Sequence, residues 1–413
     1  MRIVVAPDKF KDALDARSVG EAVAAGIRSV EADADLTVVP MADGGEGTLD
    51  AAIAAGFTEV PVTVTGPLGA PVEAAFALQT STAVVELARA SGLALVPRAQ
   101  RDALRATSRG TGELIAAALE HGAESIILAV GGSASTDGGA GMLAALGARL
   151  LDADGADVPD GGGALRHVER IDLDGLDARL ASVRVTLASD VDHALLGPLG
   201  AASVFAPQKG ASVAEAAQLE LGLTRFARLL EDALASSRAG ARDAVEPQSP
   251  TAAQRPGSGA AGGVGFAALA VLHALRRPGV DVVCELARLR AHLAGADLVI
   301  TGEGSFDAQS LGGKTPVGVL RAADSLEIPT VVVCGRSALA EREWRDAGFA
   351  ACYATMDRAP DRASSMRDAG AFLREIGAEI ARGLLAAPGS APGPGGPVIG
   401  GAGQILDRDR PRR

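Results

Sequence analysis

The chain contains no asparagine, and only four of its 39 basic side chains are lysine: Lys9, Lys11, Lys209 and Lys314. A joint shortage of this kind acts on composition as a whole, so a lysine that persists marks a position that arginine does not serve. A compact, strongly hydrated ammonium on a flexible stem differs from a rigid guanidinium fork, notably as a point charge for phosphate. All four lie beside Gly, Pro, Asp or Gln in apparent loops. Cysteine is scarce as well. Cys284, Cys334 and Cys352 have neither an even count nor a metal-ligand spacing, which argues against a disulfide framework or a zinc site and favours a reducing, cytoplasmic setting. Aromatic residues make up 3% of the chain, leaving little to stack on bases, and a formal net charge of −12 with a pI near 5.0 argues against nucleic acid as a partner. Long apolar runs are missing too. Residues 256–275 carry no formal charge over about the length a bilayer needs, but the first half is Gly, Ser and Ala, so the stretch reads as a glycine-rich loop entering a buried helix. The apolar residues 3–6 are too few for a signal peptide and read as a first strand.

What is present is a chain of 413 residues with 48% hydrophobic content, long enough for two domains with sizeable cores. Short β-branched runs alternate with polar or glycine-rich turns and Ala/Leu-rich helical stretches, the α/β pattern. Strands are expected at 2–6, 36–40, 125–130, 184–188, 297–301 and 330–334, with helices near 18–29, from 48, and near 141–150. Between 61 and 87 the pattern changes to strands joined by Gly-Pro turns without a helix, which suggests an antiparallel element in a second domain. Residues 236–259 read as a surface insertion or linker, and 386–413, rich in Pro and Gly, as a flexible, disordered tail.

Ligands of open α/β sheets gather at the carboxyl ends of strands, so the residues after each apolar run are the ones to read. The first run ends in Pro7-Asp8-Lys9-Phe10-Lys11-Asp12. The second ends in Asp43-Gly44-Gly45-Glu46-Gly47, where glycines let backbone amides face an anion and two carboxylates suit a magnesium ion or a proton. The phosphate-cradle candidate is Gly131-Gly132-Ser133-Ala134-Ser135-Thr136-Asp137-Gly138-Gly139, between an apolar run and an Ala/Leu helix. A helix N-terminus there favours an anion, with hydroxyl donors at hand. Ser189-Asp190, Pro207-Gln208-Lys209-Gly210 and Thr301-Gly302-Glu303-Gly304-Ser305-Phe306-Asp307 add a lysine and three acids; Asp190, Glu303 and Asp307 are base or metal candidates, with N-cap or turn roles as the alternative. The five histidines lack ligand spacing; His193, close after Asp190, is the one to watch. Two motif matches fail on context. Gly257 to Gly262 fits a dinucleotide fingerprint but follows a polar, proline-bearing segment, and Gly313-Lys314-Thr315 ends like a P-loop whose first glycine would fall at Ala308.

Taken together, APDKFK at 6–11, MADGGEGT at 41–48, GTGELIAAAL at 110–119, GGSASTDGGAGM at 131–142, PQKGA at 207–211, AAGG at 260–263 and TGEGSFDAQSLGGKTPVGV at 301–319 resemble the bacterial glycerate kinase family, the type of the glyoxylate and glucarate pathways. The likeness runs from residue 1 to about 385. It implies two α/β domains with the active site in a cleft: a flavodoxin-like, doubly wound domain built from both chain ends (1–60 plus 285–385) and a second mixed domain (61–284). It also implies ATP-dependent phosphorylation of D-glycerate, 2-phospho-D-glycerate being favoured over the 3-phosphate, with Mg2+, no membrane partner, and a monomer or homodimer. On this reading Lys9, Lys11, Asp43, Asp190, Lys209 and Asp307 serve catalysis, and Gly131, Gly132, Ser133, Ser135, Thr136, Asp137, Gly138 and Lys314 hold the nucleotide. Glu46 and Glu303 hold metal, and the split of base and metal roles among the acids stays open. The chain departs from the family pattern at Thr136, where Asn is common, and at His193-Ala194-Leu195, where Asn-Pro-Leu is. The rivals are a kinase of another small hydroxy-acid and a non-catalytic ligand-binding regulator on the same fold.

Overall fold

The computed structural model of the chain describes residues 1–239, 251–385, 398–400 and 404–406. Residues 240–250 of the expected insertion, and the expected tail apart from 398–400 and 404–406, lie outside the described residues; those two short pieces pair as an antiparallel ribbon.

The chain divides into two units. The first comprises Met1–Asp43, Asp50–Ala55 and the described part of Val280–Arg413; the second comprises Gly44–Leu49 and Gly56–Gly279. The chain therefore passes between them several times.

Five strands form the sheet of the first unit: Arg2–Pro7, Asp35–Val38, Leu298–Phe306, Thr330–Ser337 and Ala351–Ala354. All pair in parallel, and numbered in chain order they lie 2-1-3-4-5. The first strand shows why its sequence is apolar from Ile3 onward. Ile3 and Val5 enter one core with Val19, Val23 and Ile376, while Val4 and Ala6 enter another with Val283 and Val319. A parallel sheet covered on both faces needs such a continuous run, and each fully buried Val or Ile contributes about 1.5–3 kcal/mol. The helix Ala16–Arg28 starts where Asp15 accepts a hydrogen bond from the Ser18 amide at 2.8 Å. It packs backbone to backbone against Ala369–Leu385: a Cβ on Gly26 would lie 2.0 Å from the Arg374 carbonyl, and one on Gly377 2.2 Å from that of Val23. The single tryptophan, Trp344, is buried with the Arg345 guanidinium 4.7 Å from its ring centroid, and the single tyrosine, Tyr353, sits in the same unit.

The second unit holds a six-stranded mixed sheet. Its parallel part is Leu275–Arg277, Arg184–Ala188, Ser125–Ala129 and Thr82–Glu86 in that order; Pro71–Gln79 and Thr58–Thr65 then continue it antiparallel. The change of pattern read at 61–87 is this antiparallel edge. The 27-residue helix Val213–Ala239 packs Leu223 and Phe226 into the core of this unit. Residues 256–275 are a glycine-rich loop followed by the helix Val264–Ala270, buried at every position. Among the described residues no helix is long and apolar enough to cross a membrane.

Two elements differ from the pattern reading. The helix expected at 141–150 is Ala140–Ala145, and Arg149–Leu151 is a strand. Gly147, at φ 105° with a would-be Cβ 2.0 Å from the Gly175 carbonyl, turns the chain between them. The strand expected at 297–301 runs on to Phe306, because parallel pairing continues through Glu303 opposite Cys334 to Phe306 opposite Ser337.

Candidate active site

Each unit gathers part of the polar sequence at the ends of its strands. In the first, the segment after Arg2–Pro7 brings Asp8 to a buried position. Its Oδ2 accepts from the Thr315 hydroxyl at 2.7 Å, its Oδ1 accepts from the Lys9 amide at 2.7 Å, and the Lys9 ammonium stands 3.5 Å away. Burial pushes the Asp8 carboxyl up to about 6; Lys9 opposes this and Asp43 adds to it. Glu303 comes from the extended end of the Leu298–Phe306 strand and is only 9% exposed. Burial, with Asp8 and Asp43 adding to it, pushes its carboxyl up to about 7 against the pull of Ser310 and Lys314. Its Oε1 is buried without a hydrogen-bond partner. Lys314 is the N-cap residue of the helix Thr315–Asp324. These side chains share a cavity of about 410 Å³ lined by Asp8, Lys9, Lys11, Asp43, Glu303 and Lys314, among others.

In the second unit the loop at 131–139 is organised from beneath. The Lys209 ammonium, 2% exposed, donates to the Ser133 hydroxyl at 2.8 Å and to the Ser135 carbonyl at 2.5 Å. Burial pushes its pKa down to about 7 although Asp137 holds it up. Asp137 is fully buried, and burial pushes its carboxyl up; the opposing pull comes from the Ser108 amide and hydroxyl, both at 2.8 Å, and from the amides of Gly139 and Gly141 at 3.1 and 3.2 Å. The amides at the N-terminus of the Ala140–Ala145 helix, expected to attract an anionic ligand, thus already donate to a carboxyl group of the chain itself. The hydroxyls of Ser135 and Thr136 are buried with no hydrogen-bond partner. Gly132 and Gly138 have positive φ of 77° and 69°, and a Cβ would meet the Glu46 carboxylate at 2.8 Å in the first and the Phe226 ring at 2.7 Å in the second. At Gly131 it would meet Gly45 Cα at 2.5 Å, so the 131–132 and 45–46 turns touch through glycine.

Of the residues singled out in the sequence, Lys9, Lys11, Asp43, Glu303 and Lys314 surround the cavity of the first unit. Gly131, Gly132, Ser133, Ser135, Thr136, Asp137, Gly138, Lys209 and Glu46 belong to the loop system of the second. Asp307 lines neither. It caps the helix Ala308–Leu311, accepting from the Gln309 amide at 2.9 Å. Asp190 is exposed and accepts from the Gly279 amide at 2.7 Å. The His193 ring packs edge-on against Phe205 at 5.0 Å. Sequence reasoning missed Asp8, Arg336 and Arg362, all of which line the first cavity. Asp8 was within reach of it, standing beside Lys9 in a segment already marked; the arginines carried no local signal. Among the described residues no group of three or more His, Cys, Asp or Glu side chains could hold a metal ion by itself.

The profile of the Glycerate kinase family matches residues 3–385. A glycerate kinase of Bacillus subtilis (strain 168) is 46% identical over 338 residues, covering 81% of this chain and 85% of that protein. A glycerate 2-kinase of Escherichia coli (strain K12) is 45% identical over 338 residues, covering 81% and 85%. The crystal structure of a putative glycerate kinase 2 from Salmonella typhimurium LT2 superposes with a TM-score of 0.77 at 41% identity, covering 94% of this chain and 98% of that one.

Proposed function

Because the chain belongs to the glycerate kinase family, we propose that it transfers the terminal phosphoryl group of ATP to D-glycerate, with 2-phospho-D-glycerate favoured as product over the 3-phosphate. The observation that carries this reading to particular residues is the first-unit cavity, in which buried acids meet lysines around a space suited to a small polar molecule.

Phosphoryl transfer asks a protein for positioning and charge neutralisation more than for covalent chemistry. Glu303, with a value of about 7, changes protonation near neutral pH, and its unpartnered Oε1 is an acceptor waiting for a donor; both suit a base that takes the proton of the acceptor hydroxyl. Lys9, Lys11 and Lys314 offset the negative charge of the transferring group. Asp8 and Asp43 repel one another, a conflict that a divalent cation relieves, so they fit Mg2+ bound through one or two carboxylates plus phosphate oxygens. When bound, the ion would supply charge neutralisation on those oxygens. The 131–139 loop of the second unit is read as the nucleotide element, supported by the unpartnered hydroxyls of Ser135 and Thr136. Lys209 holds that loop in shape, and Asp190 and Asp307 serve as scaffold through their bonds to backbone amides. The parallel 2-1-3-4-5 order supports a flavodoxin-like reading of the first unit, and three free thiols support a cytoplasmic one.

The test is ADP release from purified protein with D-glycerate, ATP and Mg2+, coupled to enolase, which accepts 2-phosphoglycerate directly. Release with an enolase-competent product is expected. Release without one assigns the 3-phosphate, and ligand binding without release replaces the kinase reading by that of a regulator.

A further inference from the structure

The cavity of the first unit contains two cations that the mechanism above leaves unused. Arg336 follows Gly335 near the end of the Thr330–Ser337 strand, opposite Ser305 in register, and Arg362 opens the helix Arg362–Arg367. Both side chains are exposed, and among the described residues neither guanidinium has an ion pair or hydrogen bond. The neighbouring lysines are differently placed: Lys9 stands beside the Asp8 carboxylate and Lys314 acts on Glu303.

The two arginines are held by a shared brace. Thr355, fully buried, donates its hydroxyl to the Gly335 carbonyl at 3.1 Å and lies 2.7 Å from the Ser365 hydroxyl. A threonine has one hydroxyl proton, so with Gly335 as its acceptor the second contact runs from Ser365 to Thr355. One buried side chain thereby ties the strand end that carries Arg336 to the helix that carries Arg362. Asp361 fixes the start of that helix, accepting from the Ser364 amide at 2.7 Å.

Resting on the glycerate kinase reading, we propose that Arg336 and Arg362 receive the carboxylate of the acceptor, so that they select a hydroxy-acid over a neutral polyol, and that Thr355 is their positioning residue. A planar, permanently charged fork matches a carboxylate in two-point geometry, which a lysine does not. Carboxylate recognition is also a task distinct from holding phosphate, and it falls to the two guanidinium groups of the cavity, which have no ion pair among the described residues.

Steady-state kinetics with D-glycerate and with glycerol, which lacks the carboxylate, test this. Arg336→Ala and Arg362→Ala are each expected to raise KM for glycerate on the order of ten- to a hundred-fold, the range of one charged hydrogen bond. KM for ATP stays within about two-fold, and the preference for glycerate over glycerol narrows by the same factor. The Arg→Lys variants fall between. Thr355→Val raises the glycerate KM alone, and Thr355→Ser restores it, with circular dichroism confirming that each variant is folded. An unchanged glycerate KM, or a rise in the ATP KM instead, overturns the proposal while leaving the kinase reading intact. A wild type that does not turn over glycerate overturns both.

Discussion

Glu303 combines burial with two acidic neighbours, and this costs stability when the carboxyl ionises. Its folded value of about 7 lies above the ordinary 4.5, so its contribution is fully present below pH 4.5 and is lost as pH rises through 7. At pH 8 the ionised carboxylate costs about 3 kcal/mol. Glu303→Gln is therefore expected to unfold at higher urea than wild type at pH 8, to match it near pH 4, and to lose turnover at every pH, while wild-type turnover rises through pH 7. Equal stability differences at both pH values would show that Glu303 is not strained by its surroundings. The lysines divide in a comparable way. Lys209 is enclosed, so Lys209→Arg should cost about 1–3 kcal/mol by overpacking, whereas Lys11→Arg, at an exposed site, should stay within about 0.5 kcal/mol; urea midpoints measure both. Composition pointed to all four lysines, but not to which of them is enclosed, since burial depends on chain segments far apart in sequence. Arg336 and Arg362 were hidden for the opposite reason, as two of 35 arginines.

At the scale of elements, the glycine contact between Ala16–Arg28 and Ala369–Leu385 sets how closely the two helices approach. Gly377→Ala places a methyl group against the Val23 carbonyl and should destabilise by about 1–3 kcal/mol or more, read as a lower Tm, because the obstacle is backbone and cannot rotate away. Where periodicity is strong it located the elements well: the apolar run at 3–6 and the β-branched run at 330–334 lie in strands because both faces are covered. It failed where the local residues contradict the tertiary setting. Gly302, Glu303 and Gly304 look like a loop, yet pairing with Thr330–Ser337 keeps them extended and so carries Glu303 beyond the apolar run. The 131–139 loop was legible as strand, glycine and helix, but the acceptor at that helix is the carboxyl of Asp137, a residue from the same motif. A motif shows that amides converge; it does not show whether a side chain already fills the place.

At the scale of the molecule, the first unit draws on three stretches of chain whereas the second is nearly continuous, and each has its own core. Separate cores take each unit outside the conditions under which one transition describes a whole chain. Trp344 and Tyr353, the only such residues in the protein, both belong to the first unit. Emission excited in the near ultraviolet is thus a one-sided signal that reports the unit with the acid cavity and is silent about the unit with the glycine loop. A urea titration followed by emission and by far-ultraviolet dichroism should give two curves that do not superimpose, and coincident curves would show that the units unfold as one. A tryptophan introduced on the exposed face of Val213–Ala239, for example at Leu221, would light the dark unit and let each be watched by itself.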